Sequence, residues 1–214
     1  MPTANVSVRT IGRLSLYRRL LATLLAQDAR HTFSHQLAAM AGVTAAQVRR
    51  DLMVVGYSGS TTRGYDVLEL AESIGRFLDA PQGQKAALVG AGNLGRALLA
   101  FFAGRRPRLS IVAAFDADPQ KVNRTFRGCP CYPVAQLPQV VASQGVEVGI
   151  IAVPAESAQE VADSLVRAGA RGLVNFAPIP LRVPQGIYVE DVDIAVSLEK
   201  AAYFARKSQP GPQA

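Results

Sequence analysis

Gly90-Ala91-Gly92-Asn93-Leu94-Gly95 is the segment whose residue types and spacing promise the most chemistry. It stands between an apolar stretch, Lys85 to Val89, and a run with helical character, Arg96 to Ala103. In a G-x-G-x-x-G run so placed, the first glycine permits a tight turn and the second lets backbone approach a pyrophosphate. The third lets helix and sheet touch, while the helix N-terminus offers amide donors to the anion. Alone the triplet says little, because glycine triplets also occur in plain turns. Its context supplies the rest: a strand precedes it, a helix follows it, and Asp116 closes the next apolar stretch, Ser110 to Phe115. Asp116 lies 26 positions after Gly90, and the Arg105-Arg106-Pro107-Arg108 connection accounts for the extra length. A carboxylate there accepts from ribose hydroxyls and repels a 2′-phosphate, which favours NADH and NAD+ over their phosphorylated forms. Its other use would be a helix cap, but Asp118, directly before Pro119, is the better cap for a helix expected to start near Pro119. Val153-Pro154-Ala155 and Asn175-Phe176-Ala177-Pro178 fall at the ends of two further strands, where they point at the same crevice or form ordinary turns.

A second constellation precedes it. Ser34 to Ala41 has helical spacing and is closed by Gly42; Thr44 then opens another helix, with Gln47 three residues on in the Thr-x-x-Gln pattern of a capping box. Helix, short turn and helix make the outline of a helix-turn-helix. On the second helix Val48 and Leu52 share an inward face, and Arg50, with Ala46 and Gln47 beside it, centres the outward one. Arginine can fork onto guanine and glutamine can pair with adenine, while Arg49 is placed for phosphate. Gln47 cannot both close the capping box and read a base, so one of those two roles must give way. Met53 to Tyr57 and Tyr65 to Leu68 read as the strands of a short hairpin, a wing with Arg63 near its tip. That arginine is suited to a minor groove or is simply solvated.

Other chemistries lack their residues. Cys129 and Cys131 are the only cysteines, and His31 and His35 have no HExxH glutamate or third ligand, so no metal is expected. A dehydrogenase needs a proton donor, yet both histidines precede residue 36, and no Tyr-x-x-x-Lys pattern follows the glycine motif. No catalytic residue is therefore assigned, and no enzyme is expected. The readings that compete with a DNA-binding protein that also holds a dinucleotide are an NAD-dependent oxidoreductase and a CoA- or nucleotide-binding regulatory module without DNA binding.

The elements that must hold these residues fill the 214-residue chain. Leu16, Leu20, Leu21, Leu24 and Leu25 predict an amphipathic helix from about residue 14 to 27, and Asp66 to Leu78 predicts another. Pro81-Gln82-Gly83-Gln84 is a linker. Beyond it, strands and helices alternate: strand Glu147 to Val153, helix Glu156 to Ala168, strand Gly172 to Phe176 and strand Gly186 to Val189. The expected architecture is a winged helix-turn-helix domain over residues 1–80 and a parallel-sheet domain over residues 81–191. A C-terminal helix over residues 192–207 and a flexible tail over residues 208–214 complete it. In that helix Asp193 is the cap and Ile194, Leu198, Ala201 and Ala205 form an apolar stripe, to be buried on its own domain or on a second subunit. The composition, 49% apolar and 18% charged, is that of a globular protein. No apolar run is long enough for a bilayer, so a cytoplasmic protein is expected. Residues 1–65 hold eight arginines against Asp28 and Asp51, which is nearly all of the net charge of +7. Such a segment suits nucleic acid or is a solvated basic surface.

Taken together, these residues resemble the Rex-type redox-sensing transcriptional repressors of bacteria. The resemblance is carried by Arg13-Leu14 with Tyr17, by Gly42-Val43-Thr44-Ala45 through Gln47-Val48-Arg49-Arg50-Asp51-Leu52, and by Leu88 through Leu98 around the glycine motif. Phe115-Asp116 through Lys121-Val122, Val153-Pro154-Ala155, Asn175-Phe176-Ala177-Pro178 and Val192-Asp193 complete it. It implies a homodimer of winged-helix and Rossmann-type domains with a swapped C-terminal helix, bound to operator DNA under NAD+ and released by NADH. It implies cofactor contacts from the glycine motif, Asp116, Lys121, Val153, Pro154, Asn175, Phe176 and Ile194. The DNA contacts it implies are Arg13, Thr44, Gln47, Arg49, Arg50 and Arg63. It further implies that Asp193 couples with Arg19 and with a tyrosine of the glycine-motif helix. Phe101 stands where that tyrosine would be, and Thr61-Thr62 where the family's wing carries Arg-Gly.

Overall fold

A computed structural model describes residues 6–104 and 108–207. The Arg105-Arg106-Pro107 part of the expected connection and the expected tail over 208–214 lie outside the described residues. The chain divides into two compact units between Gln82 and Gly83.

The first unit is built from α1 (Val8–Ala26), β1 (His31–Thr32), α2 (Ser34–Ala41), α3 (Ala45–Val54), β2 (Tyr65–Asp66) and α4 (Val67–Leu78). Helix α1 begins well before Leu14, because Ser7 caps it by accepting from the Thr10 N–H at 3.2 Å. Of the expected stripe only Leu21 is fully buried, while Leu20, Leu24 and Leu25 pack part-buried and Leu16 stays half-buried. The face that enters the core is Leu14, Tyr17 and Leu21, joined by Leu37, Val48, Leu52, Leu70 and Ile74. Gly42, with φ of +66°, ends α2 in the left-handed conformation and turns the chain toward α3. Asp66 caps α4 by accepting from the Glu69 N–H.

The expected wing hairpin is corrected. Met53 and Val54 continue α3 instead of starting a strand, and Tyr65–Asp66 pairs antiparallel with His31–Thr32. What remains of the hairpin is one bridge between Ser60 and Gly64, around the tip Thr61-Thr62-Arg63. The physical reason is burial: the Tyr65 ring belongs to the core, so its strand pairs inward.

The second unit runs β3 (Gln84–Val89), α5 (Asn93–Phe102), β4 (Leu109–Asp116), β5 (Arg124–Phe126) and β6 (Cys129–Pro133). A one-turn 3-10 helix (Val134–Gln136) then leads into α6 (Leu137–Gln144), β7 (Val148–Ile151), α7 (Ala155–Arg167), β8 (Gly172–Asn175), β9 (Tyr188–Asp191) and α8 (Ile194–Lys207). The sheet order is β5-β6-β4-β3-β7-β8-β9, with every pair parallel except β5 and β6. Strand alternation feeds two cores. Ala87, Val89 and Phe115 face α6 and α7, packing on Leu137, Val141, Ala162 and Leu165, whereas Ala86, Leu88 and Ala114 face α5 and Leu99. Because β3 pairs with β4 on one side and β7 on the other, the strand order reverses at β3, and a crevice opens at its carboxyl end.

No helix starts at Pro119. Asp118 Oδ1 accepts from the Gln120 N–H at 2.9 Å in a turn, and the chain continues into the β5–β6 hairpin. Asn123 and Arg127 adopt positive φ, a local geometry incompatible with a continuing helix. The last strand of the sheet is Tyr188–Asp191, later than the expected Gly186 to Val189. Helix α8 exposes its stripe, with Ile194 at 61% and Leu198 at 70%.

Candidate dinucleotide site and nucleic-acid interface

Three glycines at the end of β3 have three different surroundings. A Cβ on Gly95 would sit 1.9 Å from the Gly90 carbonyl oxygen, so α5 approaches the turn as closely as glycine allows. Gly90 has φ of +99°, and a Cβ there would meet the Ala152 carbonyl at 2.3 Å. Around Gly92 nothing lies within 4 Å of where a Cβ would be, and this residue precedes the first turn of α5. The loop therefore packs tightly at its ends and stays open at its middle, where the N–H groups of Asn93, Leu94 and Gly95 begin the helix without intrahelical acceptors.

Asp116 closes the other side. Its Oδ2 accepts from the Ala91 N–H at 2.8 Å, its Oδ1 from the Asp118 N–H at 2.9 Å, and Lys121 Nζ lies 3.3 and 3.4 Å from the two oxygens. Desolvation lowers the Lys121 pKa, but Asp116 and Asp118 outweigh it and hold the ammonium above its ordinary value. A carboxylate and an ammonium thus sit together where a ribose hydroxyl would be recognised.

These residues line a cleft of about 520 Å³ with Gly90, Gly92 and Ala117. Its opposite wall is Val134, Leu137 and Pro138 at the start of α6, with Val153, Pro154 and Val161 at and beyond the end of β7. That apolar slot suits a base. The α6 wall was missed at the sequence level, although Val134, Leu137 and Val141 show a helical repeat that could have revealed it. Of the expected cofactor contacts, Gly90, Gly92, Asp116, Lys121, Val153 and Pro154 line the cleft, and Ala91, Asn93, Leu94, Gly95, Asn175, Phe176 and Ile194 do not. Asn175 is only 1% exposed and spends its amide internally, donating to the Ile179 carbonyl and Asp191 Oδ1 and accepting from the Ala177 N–H. Its side chain braces its own loop. Phe176 packs against the α5-side core, and Ile194 is exposed at the start of α8. Asn93 Oδ1 accepts from Arg96 Nη2, and Leu94 is partly exposed.

In the first unit, Thr44 caps α3 as expected, its hydroxyl accepting from the Gln47 N–H at 3.1 Å. The reciprocal half of the capping box is absent, because the Gln47 side chain donates to Asp51 and accepts from Arg50. Asp51 is 2% exposed and also accepts from Arg13 through two nitrogens and from the Tyr17 hydroxyl. Burial pushes its carboxyl up; the donors Arg13, Gln47 and Tyr17 more than offset this and hold it below the ordinary carboxylate value. The guanidinium of Arg13, expected on DNA, braces α1 against α3. Arg50 remains exposed, and Arg49 reaches back to Ser34 Oγ. Arg63 is exposed at the wing tip, held through its backbone N–H by Ser60 Oγ.

Residues 5–52 match the family described as a putative DNA-binding protein N-terminus, and residues 82–179 the one described as a CoA binding domain. Over 94% of its length the chain is 42% identical to the redox-sensing transcriptional repressor Rex of Rhodopirellula baltica, covering 84% of that protein. The chain belongs to the Rex family. The Rex of Carboxydothermus hydrogenoformans is 41% identical, with 92% of this chain and 95% of that protein covered. Among solved structures, the Rex-family repressor RSP in complex with β-NAD+ and operator DNA matches with a TM-score of 0.87 at 32% identity, over 95% of this chain and 94% of that one. RSP in complex with β-NADH matches with a TM-score of 0.84 over 95% and 96%.

The residues of the expected coupling contact are each described on their own element. Arg19 is exposed on α1, and Asp193 Oδ1 caps α8 by accepting from the Val196 N–H at 2.9 Å. Phe101 is 56% exposed on α5, its ring edge-on to Phe102. Cys129 and Cys131 are buried free thiols on β6, and burial, with Cys131 beside it, pushes Cys129 up to about 11. Among the described residues no group of three or more His, Cys, Asp or Glu is placed to hold a metal, and no helix is long and apolar enough to cross a membrane.

Proposed function

We propose that this chain is a repressor that reads the NADH/NAD+ ratio, holding operator DNA when NAD+ dominates and releasing it when NADH binds. One observation carries the reading: a single Rex-family chain places a dinucleotide cleft with an acidic ribose site in one unit and an arginine-bearing helix-turn-helix in the other. The residues fit NAD(H). Gly92 leaves room for a pyrophosphate, Asp116 faces the ribose position, and Val134, Leu137, Pro138 and Val153 offer apolar walls to adenine. Asn93 and Leu94 contribute backbone at the anion, while the Ala91 N–H and Lys121 both hold Asp116.

When bound, the cofactor supplies a nicotinamide ring that is cationic when oxidised and neutral when reduced. Phe101 and Ile194, exposed in the single chain, come over the ring only when a second copy packs on them, and there they disfavour the cation through desolvation and select the reduced form. Ile194 and Leu198 lie exposed on α8, and a second copy of the chain covers that stripe in a homodimer with exchanged helices. Asp193 and Arg19 then couple the cofactor state to the arrangement of the DNA-binding units. Such a switch moves only as far as the two cofactor forms differ in affinity for its two states. On the DNA side Arg50 reads a guanine edge, Arg49 and the Thr44 helix start meet phosphate, and Arg63 enters the minor groove. The protein reads redox state without changing it.

The test is a titration of the full chain on a randomised palindromic duplex pool, first in excess NAD+ and then with NADH added at fixed salt. Binding that NADH abolishes is expected. Binding indifferent to NADH removes the sensor, and failure to bind DNA removes the repressor.

A further inference from the structure

Helix α3 presents two side chains chemically able to read bases, and the structure makes them unequal. Gln47 Nε2 donates to Asp51 Oδ1 at 2.9 Å, and Gln47 Oε1 accepts from Arg50 Nη2 at 2.8 Å. Both ends of the amide are therefore engaged within the protein. Asp51 is only 2% exposed, and α1 holds it in place: Arg13 Nε and Nη2 donate at 2.6 and 2.8 Å and the Tyr17 hydroxyl at 2.9 Å. An ionised carboxylate only accepts hydrogen bonds, so it dictates which end of the Gln47 amide turns toward it. The NH2 group must face Asp51, and the carbonyl oxygen is left facing Arg50. The same donors hold the Asp51 carboxyl below its ordinary value despite burial.

We propose that Asp51 is a positioning residue for Arg50, acting through Gln47, and that Gln47 relays this orientation instead of reading a base. The inference rests on α3 being the DNA-reading helix. Its physical content is preorganisation. An exposed arginine loses rotamer freedom on docking, whereas one already held through one Nη2 hydrogen loses less and keeps the other Nη2 hydrogen, with Nη1 or Nε, as a fork for a base edge. The anchor runs to the core of the unit through Tyr17, which is fully buried, so Arg50 is set relative to the whole domain. Arg49 provides the contrast: it donates to Ser34 on α2 and has no part in the Asp51 network.

The experiment uses the full chain in NAD+ and a palindromic duplex that this protein selects from a randomised pool. Fluorescence anisotropy is read on that duplex and on each single base-pair variant of it, for Gln47→Ala, Arg50→Ala and the double variant. Gln47→Ala is expected to weaken binding roughly three- to tenfold, the cost of ordering one arginine anew. It should blunt preference only at the base pair that Arg50→Ala also blunts, and should have no further effect in the Arg50→Ala background. Additive losses, or a base pair whose preference depends on Gln47 and not on Arg50, would show that Gln47 reads its own base and would overturn the proposal. Arg50→Ala binding as tightly as the parent would instead remove the reading-helix assignment on which the proposal rests. Asp51→Asn tests the source of the orientation and should reproduce the Gln47→Ala base-preference profile. Should it unfold the first unit, seen by thermal melting, the Gln47 and Arg50 set decides alone.

Discussion

Arg13 and Asp51 are 38 residues apart in sequence and meet through Nε and Nη2 at 2.6 and 2.8 Å, tying the first helix to the third. Truncating Arg13 leaves Asp51, 2% exposed, without its cationic partner. Arg13→Ala is expected to destabilise the N-terminal unit by about 3 kcal/mol, as loss of one partner of a buried pair does. Chemical denaturation of the full chain checks it; a loss below about 0.5 kcal/mol, the ordinary range for a surface change, would mean that water replaces the guanidinium at no cost.

The same carboxylate sets an acid limit. Its folded pKa is depressed below the unfolded value, so its contribution is fully present above the unfolded carboxylate pKa of about 4 and is lost as pH falls through the lower folded value. Tyr17 works at the other end: burial first, then Asp51, raises its phenol, so its contribution is present below pH about 10 and fades as pH rises toward the folded value. Melting of the N-terminal unit should therefore be flat from about pH 5 to 9 and fall on both sides. In Tyr17→Phe the alkaline fall should shrink, and an unaltered profile would assign it elsewhere.

Gly92 and Gly95 should respond differently to a methyl group. Gly95→Ala drives a Cβ to 1.9 Å from the Gly90 carbonyl and should unfold or displace α5, costing about 3 kcal/mol or more. Gly92→Ala meets nothing within 4 Å, so the melting temperature should hold while NADH affinity drops. Calorimetric NADH titration beside thermal melting separates the two, and equal damage to stability in both would contradict the open middle of the loop.

Asp116 and Lys121 oppose each other at the ribose. Asp116→Ala removes the repulsion of a 2′-phosphate and should raise NADPH affinity relative to NADH by roughly tenfold, whereas Lys121→Ala should sharpen the preference for NADH. Competition between the two cofactors reads this out. Selectivity equal to that of the parent in Asp116→Ala would place discrimination at another residue.

The two thiols should be chemically silent. With Cys129 buried and raised to about 11, little thiolate exists at neutral pH, so alkylation with iodoacetamide should require unfolding. Rapid labelling of the native chain would show that the α5 side of the sheet opens.

Much of the fold and of the site was legible along the chain because it depends on local spacing. The leucines of α1, the Thr44 cap of α3, the three glycines before α5 and the position of Asp116 at the end of β4 are short-range patterns set by helical and strand periodicity. The division between Gln82 and Gly83 falls in the Pro-Gln-Gly-Gln stretch, where the sequence already breaks both periodicities. What tertiary structure decided is where a side chain's second partner comes from. Arg13 and Asn175 are polar residues beside a recognised motif, and sequence assigns them to ligands because their carboxylate partners lie far along the chain. The fold brings the buried Asp51 to Arg13 across 38 positions and the exposed Asp191 to Asn175 across 16, and those carboxylates take the donors first. The β5–β6 hairpin belongs to the same class, since strands this short are stabilised by pairing in the sheet and not by their own residues, whereas the α6 wall of the cleft left a helical repeat in the sequence. Local periodicity therefore fixed the elements and the glycine cradle, and long-range burial of charge decided which polar groups remained available to DNA and cofactor.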